Sequence, residues 1–167
     1  MYKSINGVEW EYVTNICSYA NNLEDVELFD YNGKLGILYE KEMLDKGKSG
    51  IYVQIAENED FTLWDSPKEL LSPNYDNEPA SLVIEGNQII LYYSSDKNDP
   101  GASYMGGNVY MAYFTEDFAI KEKDIQIETD TTKGVLLYDV KESDDKLEFL
   151  AALNYLSSND MAIFREQ

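Results

Sequence analysis

The sequence predicts an all-β fold of about three four-stranded antiparallel blades, arranged as in part of a β-propeller. Two stretches that begin at Asp25 and Glu78 repeat one pattern 53 residues apart, with Gly33 aligned on Gly86, and a period near 50 residues is typical of propeller blades. The 14 Tyr among 167 residues suit strands with half-buried faces. We expect one propeller-like domain over residues 1–167, with repeats at approximately 25–76, 77–129 and 130–167 plus 1–14.

The first repeat is predicted to contain four strands, at residues 26–31, 34–40, 51–57 and 61–70. Asn32-Gly33 separates the first two, and Asn-Gly between alternating apolar residues is a strong hairpin signal. In the third strand Ile51, Val53 and Ile55 occupy every second position. This period of two is expected of a strand with one face in a core.

The second repeat has the same order, with strands predicted at residues 80–84, 88–94, 109–115 and 119–128. A turn around Gly86 joins its first two strands. Asp60-Phe61 and Asp117-Phe118 open the outer strands of the two repeats in matching positions.

The third repeat has only three predicted strands, at residues 134–140, 147–153 and 161–164. The missing outer strand is expected from residues 2–13, which include Trp10, or from another copy of the chain. Three blades fall below the usual four to eight of a propeller. We therefore expect a homo-oligomer, or a chain that is part of a longer one.

The charge of the chain limits the classes of partner. Thirteen Lys and Arg against 32 Asp and Glu leave a formal net charge of −19, which repels phosphate backbones and anionic lipid. We predict no nucleic-acid or membrane binding, whereas a basic protein partner fits the charge. The N-terminal residues lack an apolar signal segment. The expected location is the cytoplasm, or outside the cell if the chain is a fragment.

The chain contains one cysteine, Cys17, and no histidine. This composition excludes a disulfide framework, Cys/His metal sites and Ser-His-Asp or Cys-His catalysis. No metal and no cofactor are predicted. Any catalysis has to rest on carboxylates, tyrosines or lysines.

Several of these motifs resemble the blades of five-bladed glycosidases, the superfamily that contains the family 43 arabinanases and xylosidases together with invertase-like enzymes. The resemblance covers about residues 23–128. It rests on Asp25, Glu78-Pro79, the turns at Asn32-Gly33 and Glu85-Gly86, and the stretch Asp60–Pro67.

The resemblance implies sugar hydrolysis by carboxylates at successive blade starts. By position Glu78 resembles the acid of that family, and Asp25 resembles the acidic residue one blade earlier. The blade that should supply the remaining aspartate is absent, and Asp130 is the nearest substitute. The alternative is that Asp25 and Glu78 are solvated strand-opening charges.

Three residues are candidates for binding a substrate: Tyr104, Trp10 and Asp130. Tyr104 lies in a Gly-rich loop at residues 96–108, and long loops on rigid scaffolds are either functional or mobile. Trp10 offers a flat face for stacking on a sugar.

We therefore expect a glycosidase-like module that binds carbohydrate without a complete catalytic set. One alternative is an intact glycoside hydrolase completed by oligomerisation or by further sequence. The other is an acidic interaction module of the inhibitor or immunity type, which neutralises a basic protein.

Overall fold

The computed structural model describes residues 1–98, 107–131, 133–153 and 160–167. Within these ranges every regular element is a β-strand, and none of them is a helix that could cross a membrane. The strands are β1 (Tyr2–Lys3), β2 (Glu11–Tyr12), β3 (Leu23–Tyr31), β4 (Lys34–Met43), β5 (Lys48–Ile55), β6 (Lys68–Leu71), β7 (Asn77–Glu85), β8 (Gln88–Ser95), β9 (Asn108–Phe114), β10 (Ile120–Gln126), β11 (Val135–Ser143), β12 (Lys146–Leu153) and β13 (Asp160–Arg165).

Three antiparallel sheets follow one another along the chain. The first sheet has the order β3-β4-β5-β6, the second β10-β9-β8-β7, and the third β11-β12-β13. In each sheet, strands that are consecutive in the sequence are neighbours, as in the blades of a propeller. The predicted all-β, blade-like fold is confirmed.

The second sheet is buried on both faces because it lies between the other two. Ile89, Leu91 and Tyr93 of β8 pack into one core with the first sheet. Ile90 and Tyr92, which alternate with them, pack into a second core with the third sheet. The alternating side chains of one strand therefore hold all three sheets together.

The register of the sheets corrects the alignment of the repeats by one residue. In the first sheet Glu24 pairs with Glu40, and in the second Glu78 pairs with Ser94, so that equivalent positions lie 54 residues apart. In the pairing of the strands, the residue equivalent to Glu78 is therefore Glu24, and the residue equivalent to Pro79 is Asp25.

The shift of one residue arises in the hairpin turns. The first turn is Asn32-Gly33, with the glycine second, whereas the second turn is Gly86-Asn87, with the glycine first. An alignment that matches Gly33 to Gly86 therefore slips by one residue. Such a slip moves every side chain of a strand to the opposite face.

The N-terminal residues do not complete the third sheet, and that part of the prediction is wrong. β1 and β2 pair with each other in a separate hairpin, and the segment after it lies against the outer face of the first sheet. There Gln54 Nε2 donates to the carbonyl oxygen of Ile16 at 3.5 Å. Tyr39, only 2% exposed, lines a small cavity together with Ile16 and Cys17 of this segment. Completion by another copy of the chain stays a prediction.

Residues 128–130 occupy part of the place beside β13. Thr129 forms an isolated antiparallel bridge with Glu166, and the Asp130 amide donates to the Arg165 carbonyl oxygen at 3.2 Å. The start of the third repeat therefore lies along the outer edge of its own sheet.

The outer strand of the first sheet is shorter than predicted. β6 begins only at Lys68, and before it Trp64 forms a single bridge with Ala56. The Asp-Phe pairs instead form matching turns, in which Phe61 and Phe118 have φ of 61° and 64°. The repeat at these positions is a turn with a left-handed phenylalanine.

We expect Leu91→Ala to lower the free energy of unfolding by about 2–5 kcal/mol, because Leu91 is fully buried between the first and second sheets. Leu63→Ala is the matched control, since Leu63 is 57% exposed, and should cost less than about 0.5 kcal/mol. Urea denaturation followed by tryptophan fluorescence measures both. Equal losses in the two variants would contradict this packing of the sheets.

Candidate functional site

The innermost strands of the three sheets carry a β-bulge at the same ladder position. In β3 it lies between Glu24 and Glu27, in β7 it lies at Ala80, and in β11 it lies at Tyr138. A bulge re-aims the side chains around it and bends the strand. The repeated bulge turns residues of all three strands towards one place.

That place is a cavity of about 470 Å³ between the inner strands. Its volume lies within the range of ligand sites, roughly 300–1,000 Å³. Its lining combines carboxylates, apolar side chains and a tyrosine, and the residues are Asp25, Val26, Glu27, Leu38, Pro79, Ala80, Tyr138 and Asp139.

Asp25, which lines this cavity, belongs to a cluster of three carboxylates. One oxygen from each of Asp25, Glu40 and Glu78 lies within 4.8 Å of the other two. Asp25 is exposed, Glu78 is half-buried, and Glu40 is only 1% exposed. The structure therefore brings together the two predicted catalytic residues, although their ladder positions differ. Their catalytic roles stay predictions.

Asp25 reaches the cluster because of the bulge. Its φ of 45° lies in the left-handed region, which a residue other than Gly, Asn or Asp rarely adopts. Without this kink, a residue next to Glu24 would point to the opposite face of the sheet.

Glu40 was not among the residues that the sequence singled out. It lies on β4 two positions from Leu38 and therefore on the same face, towards the second sheet. The sequence signal that could have identified Glu40 is the period of two along β4, which places Glu40 and Glu42 on the same face as the buried Leu38. Both are buried, at 1% and 8% exposure.

Hydrogen bonds fix the start of β7, where Glu78 lies. The Asn77 amide donates to Ser49 Oγ at 2.7 Å, and Asn77 Nδ2 donates to the Ser49 carbonyl oxygen at 2.9 Å. The Asp76 amide donates to Asp96 Oδ1 at 2.9 Å. These bonds tie β7 to β5 and β8 and hold Glu78 against Glu40.

Burial and mutual repulsion favour protons on the clustered carboxylates. The pKa of Glu78 is raised strongly by burial and then by its contacts with Glu40. The pKa of Glu40 is raised to about 7, with burial as the main cause, and that of Asp25 is also raised by burial. In the absence of a bound cation, the cluster therefore carries fewer than three charges near neutral pH.

A second acidic pair lines the same cavity. Burial raises the pKa of Glu27 to about 7, and the charge of Asp139 adds to the shift. Glu27 Oε2 accepts a hydrogen bond from the Leu82 amide at 3.0 Å, which joins β3 to β7. Glu27, Tyr138 and Asp139 were not predicted as site residues.

The predicted substrate-binding residues lie elsewhere or are not described. Trp10 is 63% exposed next to the N-terminal hairpin, and Asp130 lies beside β13. Neither lines the cavity. Tyr104 and most of the loop at residues 96–108 lie outside the described residues. The binding roles of all three stay predictions.

Comparison with known proteins gives a fold. No family model and no curated protein sequence matches the chain. The structure is similar to that of an α-L-arabinofuranosidase from Lactobacillus brevis, with a TM-score of 0.62 and 18% identity over 94% of this chain and 56% of that one. The chain therefore shares the fold of the matching part of that structure.

A second similar structure is the α-L-arabinanase of Penicillium chrysogenum in complex with arabinobiose. Its TM-score is 0.62, at 13% identity over 98% of this chain and 52% of that one. The chain therefore spans little more than half the length of both structures.

We expect the stability of the chain to fall as the pH rises from about 4.5 to about 7 in a buffer with chelator. The pKa of Glu40 is 4.5 when unperturbed and about 7 in the fold, so the folded state binds more protons in this window. Glu40→Gln should flatten the dependence and add on the order of 1–3 kcal/mol at pH 8, because it removes a buried charge.

Urea denaturation at pH 5.5 and pH 8 measures the effect. Glu59→Gln, which removes an exposed charge, is the control and should keep the dependence of the unaltered chain. A Glu40→Gln variant with an unchanged pH dependence would contradict this account of the cluster.

Proposed function

We propose that the chain is a glycosidase-like propeller module that binds a carbohydrate in the cavity between β3, β7 and β11 without cleaving it. The observation that carries the proposal is the lining of the cavity, which combines the carboxylates of Asp25, Glu27 and Asp139 with the partly exposed Tyr138. The fold shared with an α-L-arabinofuranosidase and an α-L-arabinanase supports the class of ligand.

Each part of this lining matches a feature of a sugar. Carboxylates accept strong hydrogen bonds from hydroxyl groups, and Asp25, Glu27 and Asp139 supply them from two of the three inner strands. Tyr138 is 39% exposed, and its ring offers a flat apolar surface for the C–H face of a sugar ring.

The acidic cluster by itself is an incomplete catalytic set for the cavity. Glycosidic hydrolysis needs one protonated and one ionised carboxyl group on either side of the scissile bond, roughly 5–9.5 Å apart. Of Asp25, Glu40 and Glu78, Asp25 alone lines the cavity, and burial raises the pKa of all three. These features support binding without hydrolysis.

A complete glycoside hydrolase is the second candidate. The raised pKa of Glu78 keeps a proton on its carboxyl group, as a general acid requires. The partner carboxylate would have to come from another copy of the chain or from further sequence. The acidic interaction module, which rests on the net charge of −19, is the third possibility.

Arabinobiose and longer arabino-oligosaccharides are the first ligands to test by isothermal titration calorimetry. We expect saturable binding that Tyr138→Ala weakens by about ten-fold, because an aromatic contact contributes on the order of 1 kcal/mol beyond its buried area. Tyr12→Ala is the control, since Tyr12 lies on the N-terminal hairpin outside the cavity. Equal affinities in the two variants would place the sugar elsewhere.

Turnover of an aryl arabinoside separates the candidates. A binding module gives none, whereas a hydrolase gives turnover that Glu78→Gln abolishes while the fold is retained. An acidic interaction module neither binds nor cleaves sugar, and its affinity for a basic protein falls as salt is added.

A further inference from the structure

We propose that Asp25, Glu40 and Glu78 form a binding site for a divalent cation, with Ca²⁺ as the best fit. This goes beyond the proposed function, and it does not require that a carbohydrate binds. It also revises the expectation of no metal, which rested on the absence of histidine and the single cysteine.

The spacing of the three carboxylates fits a single coordination shell. Ca²⁺ binds oxygen at 2.3–2.6 Å, so oxygens on opposite sides of the ion are roughly 4.6–5.2 Å apart. One oxygen from each of the three residues lies within 4.8 Å of the others. A cation between them can therefore contact all three without a large rearrangement.

Glu40 supplies a second, independent observation. The residue is 1% exposed, and among the described residues its Oε2 has no hydrogen-bond partner. Its carboxylate belongs to the cluster and faces Asp25 and Glu78. A buried, unpartnered carboxylate oxygen is costly unless something positive binds it.

Three cationic side chains of the described residues are engaged in ion pairs away from the cluster. Lys68, Lys97 and Arg165 each form an ion pair with a carboxylate that is not a member of the cluster. Three clustered carboxylates and no histidine make a hard, oxygen-only ligand set, which suits Ca²⁺ or Mg²⁺ rather than Zn²⁺ or Cu²⁺.

The site would be closed on the protein side and accessible from the cavity. Glu40 lies in the buried face between the first and second sheets, whereas Asp25 is exposed and lines the cavity. Ca²⁺ takes six to eight oxygen ligands, so several positions remain for water on the cavity side. If the proposed carbohydrate binds there, its hydroxyl oxygens can take those positions, and this last step alone rests on the proposed function.

The test uses the metal alone. The whole chain is freed of metal with EDTA, exchanged into chelator-free buffer at one fixed pH, and titrated with CaCl₂ and then with MgCl₂ by calorimetry. We expect one equivalent of Ca²⁺ to bind. Glu40→Gln and Asp25→Asn should each weaken the affinity by about ten-fold or more, since each removes one ligand charge.

Glu59→Gln is the matched control, because it removes the same charge from an exposed position, and it should bind as the unaltered chain does. The thermal midpoint is the second measurement. At one fixed Ca²⁺ concentration, the midpoint should rise for the unaltered chain and for Glu59→Gln, and rise less in the two site variants. Asp25→Asn keeps the test decisive if Glu40→Gln fails to fold, because Asp25 is exposed.

The proposal is overturned if Ca²⁺ shows no saturable binding up to about 10 mM, well above the weakest extracellular sites. It is also overturned if Asp25→Asn binds the ion as tightly as Glu59→Gln does. Sugar binding measured separately in EDTA keeps the two proposals apart, because failure of either experiment leaves the other standing.

Discussion

The burial of both faces of the second sheet is the constraint on which the rest of the structure depends. Side chains of β8 alternate between the two cores, so the first and third sheets are held on opposite sides of one strand. This packing brings the innermost strands β3, β7 and β11 together at one cavity. The carboxylates approach one another because apolar contacts elsewhere in the sheets hold them there, at the cost of electrostatic repulsion.

In the acidic cluster, the preference of a glutamate side chain for solvent conflicts with the burial that the overall fold imposes. A glutamate in the position of Glu40 would be solvated in most strands, yet here it is 1% exposed with a charge that must be neutralised. Such conflicts are concentrated at functional sites. A proton and a cation are two ways to resolve the conflict, and both leave a polar, partly enclosed surface that suits a ligand rich in hydroxyl groups.

The sequence was sufficient to predict the fold because the repeat, the turn glycines and the period of two are local signals. It also drew attention to Asp25 and Glu78, which lie near the starts of inner strands and whose carboxylates the structure brings together, while their catalytic roles stay predictions. The burial of their neighbour Glu40 depends on which face of β4 packs against the second sheet. The sequence of one strand does not specify that packing. The register also depends on turn geometry, so matching Gly33 to Gly86 misplaced the ladder by one residue. The position of the N-terminal segment depends on the outer face of the first sheet, where Ile37 and Tyr39 lie. That face forms only when β4 and β5 are paired.

The three described sheets form a linear series rather than a closed ring, and this order has a consequence for how the chain unfolds. In a linear series, each unit is stabilised by its neighbours only. The second sheet has two neighbouring sheets, whereas the third has one and contributes three described strands. Fraying should therefore begin at the C-terminal sheet and expose the second core first, while the core between the first and second sheets persists as a separate cooperative unit.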